Sequence, residues 1–464
     1  MCDLNFFQSQ IVHLLSNIFS LKTDISFKRI NSLAIPALIA GIAEPFLSIT
    51  DTAIVGNIEK NGIESLAAVG IVGAFISMLI WVFGQIRSAI SSLISQYLGA
   101  NKLEEIKTLP AQAIAMVVCG GIIVLMITYP FSKQIFGFYN ASGDILDYCI
   151  EYYKIRIFGF PFSLFVFAVF GLFRGLQNTF YPMIIALCGA SLNIGLDLAF
   201  VYGIDGLIPA MNIKGAAYAS VISQIFMALL SIFFLRRKTS FSLKITRPFN
   251  KEISTLLGMV INLFIRTIAL NLALYFATSH ATNYGKEYIA AYTIGINLWL
   301  LGAFIIDGYS SAGNVLAGKL LGSKDYRGML QLGKRLITYG LCTGLVLTVV
   351  GFLFYEPIGT VFIKDELVQQ EFQNVFWIIL IMQPLCAITF IFDAMFKGMG
   401  EMGFLRNILL FSTLVVFIPS LYVFDVFDCK LKGVWFTFLL WIIARGTPLI
   451  VKFRRKFLPL VEKG

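Results

Sequence analysis

The stretch LAAVGIVGAFISMLIWVFGQI, residues 66–86, decides the architecture. It carries no charged side chain, and about twenty apolar residues are what a helix needs to cross the hydrocarbon layer of a membrane. It does not alternate apolar with polar positions, as a barrel strand would. Working outward, the rest of the chain has the same character. Its 464 residues are 58% apolar and only 13% charged, with a mean hydropathy of +0.82. A soluble domain carries about a quarter charged residues, which argues against a soluble enzyme. The apolar content suffices for about a dozen crossings. Lipid offers no hydrogen bonds, so each backbone must satisfy itself internally. The expected fold class is therefore an all-α polytopic membrane protein.

Twelve apolar segments are expected near 30–57, 66–98, 110–131, 152–174, 181–203, 213–235, 253–278, 287–318, 332–354, 373–396, 404–424 and 433–452. Residues 1–29 form an N-terminal segment in which Phe7, Ile11, Leu14, Leu15 and Ile18 have helical spacing. It reads equally as an interfacial helix or a loose tail. The net charge of +10 does not indicate nucleic acid, because the excess sits in short loops on one side. Arg236, Arg237, Lys238, Lys244, Arg247 and Lys251 crowd the stretch 236–252, and Lys452, Arg454, Arg455, Lys456 and Lys463 the tail after 452. Basic residues accumulate on the cytoplasmic face, which puts both termini inside. The seven cysteines show no CxxC or metal spacing.

A shift of 223 residues brings landmarks into coincidence. Ala67-Ala68 meets Ala290-Ala291, Leu98-Gly99 meets Leu321-Gly322, Pro161 meets Pro384, and Arg174-Gly175 meets Lys397-Gly398. The chain thus reads as an N-lobe (30–235), a basic linker (236–252), a C-lobe (253–452) and a tail (453–464). Six crossings per half insert both halves the same way up. Parallel halves of this kind carry a substrate site at their interface, which makes the chain a secondary transporter. No GxxxxGK[ST] motif suggests an ATP-driven pump.

Ionisable groups within membrane helices are costly, and they are usually functional or paired. Glu44 and Asp51 lie seven residues apart and share a helix face. Asn193 and Asp197, four apart, share another. The shift places Asp51 on Leu274, Asn193 on Val416 and Asp197 on Ser420, so the acids belong to the first half alone. Two carboxylates and an amide can take up a proton or a small hard cation. Arg266 and Asp307, in adjacent segments, are expected to form a structural ion pair. Arg87, Asp393 and Arg445 have no evident partner. Pro36, Pro45 and Pro161 each free a backbone carbonyl and allow a kink.

The run PALIAGIAEPFLSITDTAIVG (36–56), with LAAVG (66–70), resembles the multidrug and toxic compound extrusion (MATE) transporters. So do RGLQNT (174–179), NIGLD (193–197) and GAAYAS (215–220). RTIAL (266–270), DGYSSA (307–312) and GKLLG (318–322) resemble the DinF-like branch. The resemblance spans about residues 30 to 450 and implies two six-helix lobes in a V. It implies export of cationic or amphipathic small molecules, driven by inward H⁺ or Na⁺ with no other cofactor. It places the coupling site on Asp51, Asn193, Asp197 and Ser220, where relatives often have Thr; with Na⁺, Asp51, Asn193 and Asp197 would be its ligands. Pro36 matches a proline whose bending accompanies protonation, and Glu44 is a candidate for the substrate cavity. Leu198 stands where many relatives have Pro, so a straighter fifth helix is expected.

The implied setting is the bacterial inner membrane, with a small-molecule substrate, lipid contacts, no nucleic acid and a monomeric chain. The alternative is a flippase for a lipid-linked precursor, which would need several cavity Lys and Arg. A membrane enzyme is disfavoured, since neither His13 nor His280 has a second ligand nearby in sequence.

Overall fold

A computed structural model describes residues 23–58, 62–204, 206–362 and 365–462, apart from the side chains at 44–45, 48–49, 63 and 359–362. The possible interfacial helix within 1–22 and the Glu44 side chain lie outside the described residues. The helices are α1 (Phe27–Gly56), α2 (Gly62–Phe83, continuing as Ile86–Gly99), α3 (Leu109–Thr128) and α4 (Gly143–Arg156, continuing as Phe160–Gly175). Then come α5 (Phe180–Val201), α6 (Ile213–Lys238), α7 (Glu252–Tyr284) and α8 (Lys286–Gly322). The last four are α9 (Tyr326–Leu353), α10 (Glu366–Gly398), α11 (Met402–Val426, with a π-turn at Ser412–Phe417) and α12 (Lys430–Glu462). Among the described residues eleven helices are long and apolar enough to cross a membrane; α1 has 30 residues. Exposed apolar side chains such as Met126, Leu229, Val346 and Val415 form surface suited to lipid.

Helix starts and irregularities follow local chemistry. Ser26, Asp325 and Asp365 cap α1, α9 and α10 by accepting from backbone N–H groups of the first turn. The π-turn in α11 immediately precedes Pro419, which cannot donate to the helical ladder. Two prolines leave carbonyls that neighbouring helices satisfy. Pro36 frees the Ser32 carbonyl, which accepts from Thr179 Oγ1 at 3.3 Å. Pro384 frees the Leu380 carbonyl, which accepts from Thr348 Oγ1 at 2.7 Å. A proline inside a membrane helix is tolerated for this reason.

The 223-residue repeat is written in the backbone. Asn101 and Lys324 both turn left-handed, at φ 57° and 56°. Behind them, the N–H groups of Lys102 and Asp325 reach back to the carbonyls of Tyr97 and Leu320. Gln177 and Gly400 form a second such pair, with Asn178 and Glu401 donating to Phe173 and Phe396. These are matched helix stops.

The halves meet where α2 crosses α8. Ser91 Oγ donates to Asn314 Oδ1 at 3.1 Å, between two residues that the repeat makes equivalent. Gly99 lies against the Lys319 carbonyl, and Gly322 against that of Gln96, the mirror-image contact. Ser92 and Gln96 donate to the Gly398 carbonyl at 3.0 and 2.9 Å. Arg174 Nη1 donates to Ser311 Oγ at 3.1 Å, and Gln177 Nε2 to the Val315 carbonyl at 2.7 Å. All these contacts lie at the end of the bundle that carries the basic linker, so the halves are shut together there.

Candidate functional site

Asp51 comes in the last two turns of α1, and Asn193 and Asp197 in the last three turns of α5. Ser220 lies two turns into α6. Helix direction brings all four to the end remote from the linker. They are 8%, 3%, 0% and 4% exposed, so Asp51 does not face bulk water. The two carboxyls face each other, and Asp51 also faces the Ser220 hydroxyl. None of these approaches becomes a well-formed hydrogen bond. Asp51 Oδ1, both Asp197 oxygens, Asn193 Nδ2 and Ser220 Oγ are buried without a partner. Tyr202 fastens the rim by donating to the Ile54 carbonyl at 2.7 Å. Helix α5 runs unbroken past Leu198.

Two acids buried together cannot both remain unneutralised. A shared proton, or a small cation among the oxygens, would satisfy them. Asn193 can offer its Oδ1 by turning the amide over. The structure adds two residues from α4. Arg156 acts on both carboxylates, and the buried Tyr152 lies beside it. Arg156 is not among the residues that the sequence singles out. The available signal was a Tyr and an Arg four apart on one helix face.

The expected Arg266–Asp307 pair is not formed. Arg266 Nη2 binds Asp393 Oδ1 at 2.8 Å, and Lys397 Nζ binds Asp393 Oδ2 at 3.1 Å. Helices adjacent in sequence need not turn the same faces to each other. Arg266 reaches across from α7 to Asp393 on α10, whereas Asp307 is exposed on α8 within the influence of Arg174 and Lys397. Arg87 and Arg445 find aromatic partners: Phe167 at 5.7 Å, and Trp441 at 4.5 Å. Pro36 lies two residues beyond Ala34, whose carbonyl Gly308 of α8 packs against. His280 Nδ1 binds Asp425 Oδ2 at 2.6 Å at the remote end of the second half, joined by the Tyr284 hydroxyl.

Comparison with known proteins fits this frame. The MatE family model matches residues 36–199 and 263–423, one block in each half. The chain is 27% identical over 438 residues to Protein DETOXIFICATION 44, chloroplastic, of Arabidopsis thaliana, covering 90% of this chain and 80% of that one. It is 23% identical over 411 residues to the DNA damage-inducible protein F of Escherichia coli, covering 86% of each. It is 24% identical over 443 residues to the probable multidrug resistance protein NorM of Pasteurella multocida, covering 93% and 94%. A crystal structure of MATE in the bent conformation shares the fold, with a TM-score of 0.86 over 94% of this chain and 96% of that one at 21% identity. With both halves matched, this chain belongs to the MatE family, whose members are membrane transporters and not enzymes.

Proposed function

We propose that this chain is a secondary antiporter of an inner membrane. It exports cationic or amphipathic small molecules while H⁺ or Na⁺ flows inward through Asp51, Asn193, Asp197 and Ser220. The observation that carries this is the convergence, from α1, α5 and α6, of buried polar atoms with no partner. Such atoms are expensive in a membrane interior unless a mobile ion visits them. The multidrug relative supports the export direction. The basic linker end is the cytoplasmic one by its charge. The conformation is then closed toward the cytoplasm, with the acids at the far end.

In this reading the ion loads from outside and favours substrate release there. Return to the cytoplasm-open state delivers the ion inward. One charge crossing 100 mV supplies about 2.3 kcal/mol, enough for roughly a fiftyfold gradient of a substrate without net charge; a monovalent cation exchanged for one ion moves no net charge and draws on the ion's concentration gradient alone. The test is dye efflux from energised vesicles, wild type against Asp51→Asn, with the proton and sodium gradients clamped in turn. Efflux that follows one gradient and fails in the variant supports the reading and names the ion. Efflux equal in the variant, or absent under both gradients, refutes it.

A further inference from the structure

The two halves share one backbone plan but place their buried charges differently. In the first half the acids Asp51 and Asp197 come together at the end remote from the linker. In the second, Asp393, the one buried carboxylate among the described residues, lies among cations. Arg266 and Lys397 bind it directly. Arg445 lies near enough to feel both Asp393 and Arg266, yet forms no ion pair among the described residues. It is only 3% exposed, and its guanidinium lies against Trp441 at 4.5 Å and Phe390 at 5.9 Å. Arg266 keeps its Nε buried without a partner. Of these charges only Lys397 has a counterpart in the repeat, Arg174; the 223-residue shift puts Arg266 on Ala43, Arg445 on Ile222 and Asp393 on Phe170.

Three cations face Asp393, and the exposed Asp307 reaches only Lys397 among them, which leaves an excess of positive charge between α7, α10 and α12. Ionised groups in a membrane interior are retained when they pair or line a solute path. A guanidinium braced on an aromatic ring keeps its N–H edge free, and that edge matches the paired oxygens of carboxylate or phosphate. Stacking on Trp441 orients Arg445 but does not cancel its charge.

We propose that Arg445, backed by Arg266 and Lys397, binds the carboxylate or phosphate group of an amphipathic molecule. The first half then holds the cation and the second half the anion. The inference extends the transporter reading, because it names a chemical class of cargo. It does not depend on which ion drives the cycle.

The test uses full-length protein purified in detergent. Binding of carboxyfluorescein, an aromatic anion, and ethidium, an aromatic cation, is followed by fluorescence anisotropy. Arg445→Met and Arg445→Lys are compared with wild type, each first checked for an unchanged melting temperature. Arg445→Gln, which keeps a planar amide beside the ring but removes the charge, serves if Arg445→Met does not fold, and it should weaken anion binding in the same way. Expected is saturable carboxyfluorescein binding that weakens at least about tenfold in Arg445→Met, returns in part with Lys, and leaves ethidium within twofold.

Native mass spectrometry after exposure to phosphatidylglycerol separates the two sources of the anion. Lipid retained by wild type, lost in Arg445→Met and competing with the dye, assigns the site to a lipid phosphate. Dye binding without lipid retention assigns it to a soluble anion. No anion binding by wild type, or equal binding by Arg445→Met, overturns the proposal. Asp51→Asn should abolish coupled efflux and keep anion binding, so failure of the transporter reading is seen separately.

Discussion

Gly99→Ala combined with Gly322→Ala should force the linker end open. Each new Cβ would overlap a carbonyl oxygen of the opposite half, Lys319 for one and Gln96 for the other. Restoring contact distance requires α2 and α8 to part by roughly 1.5 Å. The interlobe hydrogen bonds at Ser91, Ser92, Gln96, Arg174 and Gln177 measure 2.7–3.1 Å, and that displacement takes them out of range. At about 1 kcal/mol net for each bond, the closed state loses about 3–5 kcal/mol. This amounts to roughly two to four powers of ten in the open-to-closed ratio. Nothing in the contact favours keeping an alanine, because the blocking atoms are backbone and cannot rotate away.

The assay is the distance between spin labels at Lys102 and Lys324, both exposed, after replacing the exposed Cys119, Cys188 and Cys342. The double variant should shift the population to longer separations, and coupled dye efflux should fall because the return to the closed state is disfavoured. Each single variant should show a smaller shift in the same direction. An unchanged short-distance population together with wild-type efflux would show that the glycine contact does not hold this end shut.

Other expectations follow from the same geometry. Arg156→Gln removes a cation that faces the acids, so half-maximal efflux should need several-fold less coupling ion; an unchanged ion dependence would remove Arg156 from the site. Asp393→Leu alone strands Arg266 and Lys397 and should cost about 3–5 kcal/mol, whereas the Arg266→Met/Asp393→Leu double variant should recover much of that, as read by thermal melting in detergent. Thr179→Val withdraws the donor from the Ser32 carbonyl freed by Pro36 and should cost about 1 kcal/mol. Adding Pro36→Ala, which restores the helical donor, should make the Thr179 change nearly neutral in the same melts. Glu401 offers a pH test outside the spans. Its burial alone would raise the carboxyl pKa, but hydrogen bonds from Lys452 and Lys456 outweigh that and hold it below the usual 4.5. The native state therefore binds the proton less readily than the unfolded chain. The stabilisation, about 1 kcal/mol for this half-exposed cluster, is present above pH 4.5 and fades as pH falls through the depressed value. Glu401→Gln should melt lower than wild type at pH 7 and converge with it in acid.

Composition and run length were enough to specify a bundle of membrane helices, because in lipid the choice of backbone is limited to helices or a closed barrel. The coincidence of Leu98-Gly99 with Leu321-Gly322 and of Pro161 with Pro384 was enough to divide the chain into two equivalent halves. The spacing of Asn193 and Asp197 placed both on one face of α5, since helical periodicity is a local property. What the sequence could not settle was which faces meet. Arg266 chooses Asp393 over Asp307, and Arg156 turns toward Asp51 and Asp197, because rotation and tilt of each helix are set by side chains packing across residues far apart in the chain. The shut linker end is of the same kind. Glycines at 99 and 322 are visible in the sequence, but that each accepts the other half's carbonyl is a fact of the crossing. The net sign of each interior is likewise decided by which charged side chains face inward.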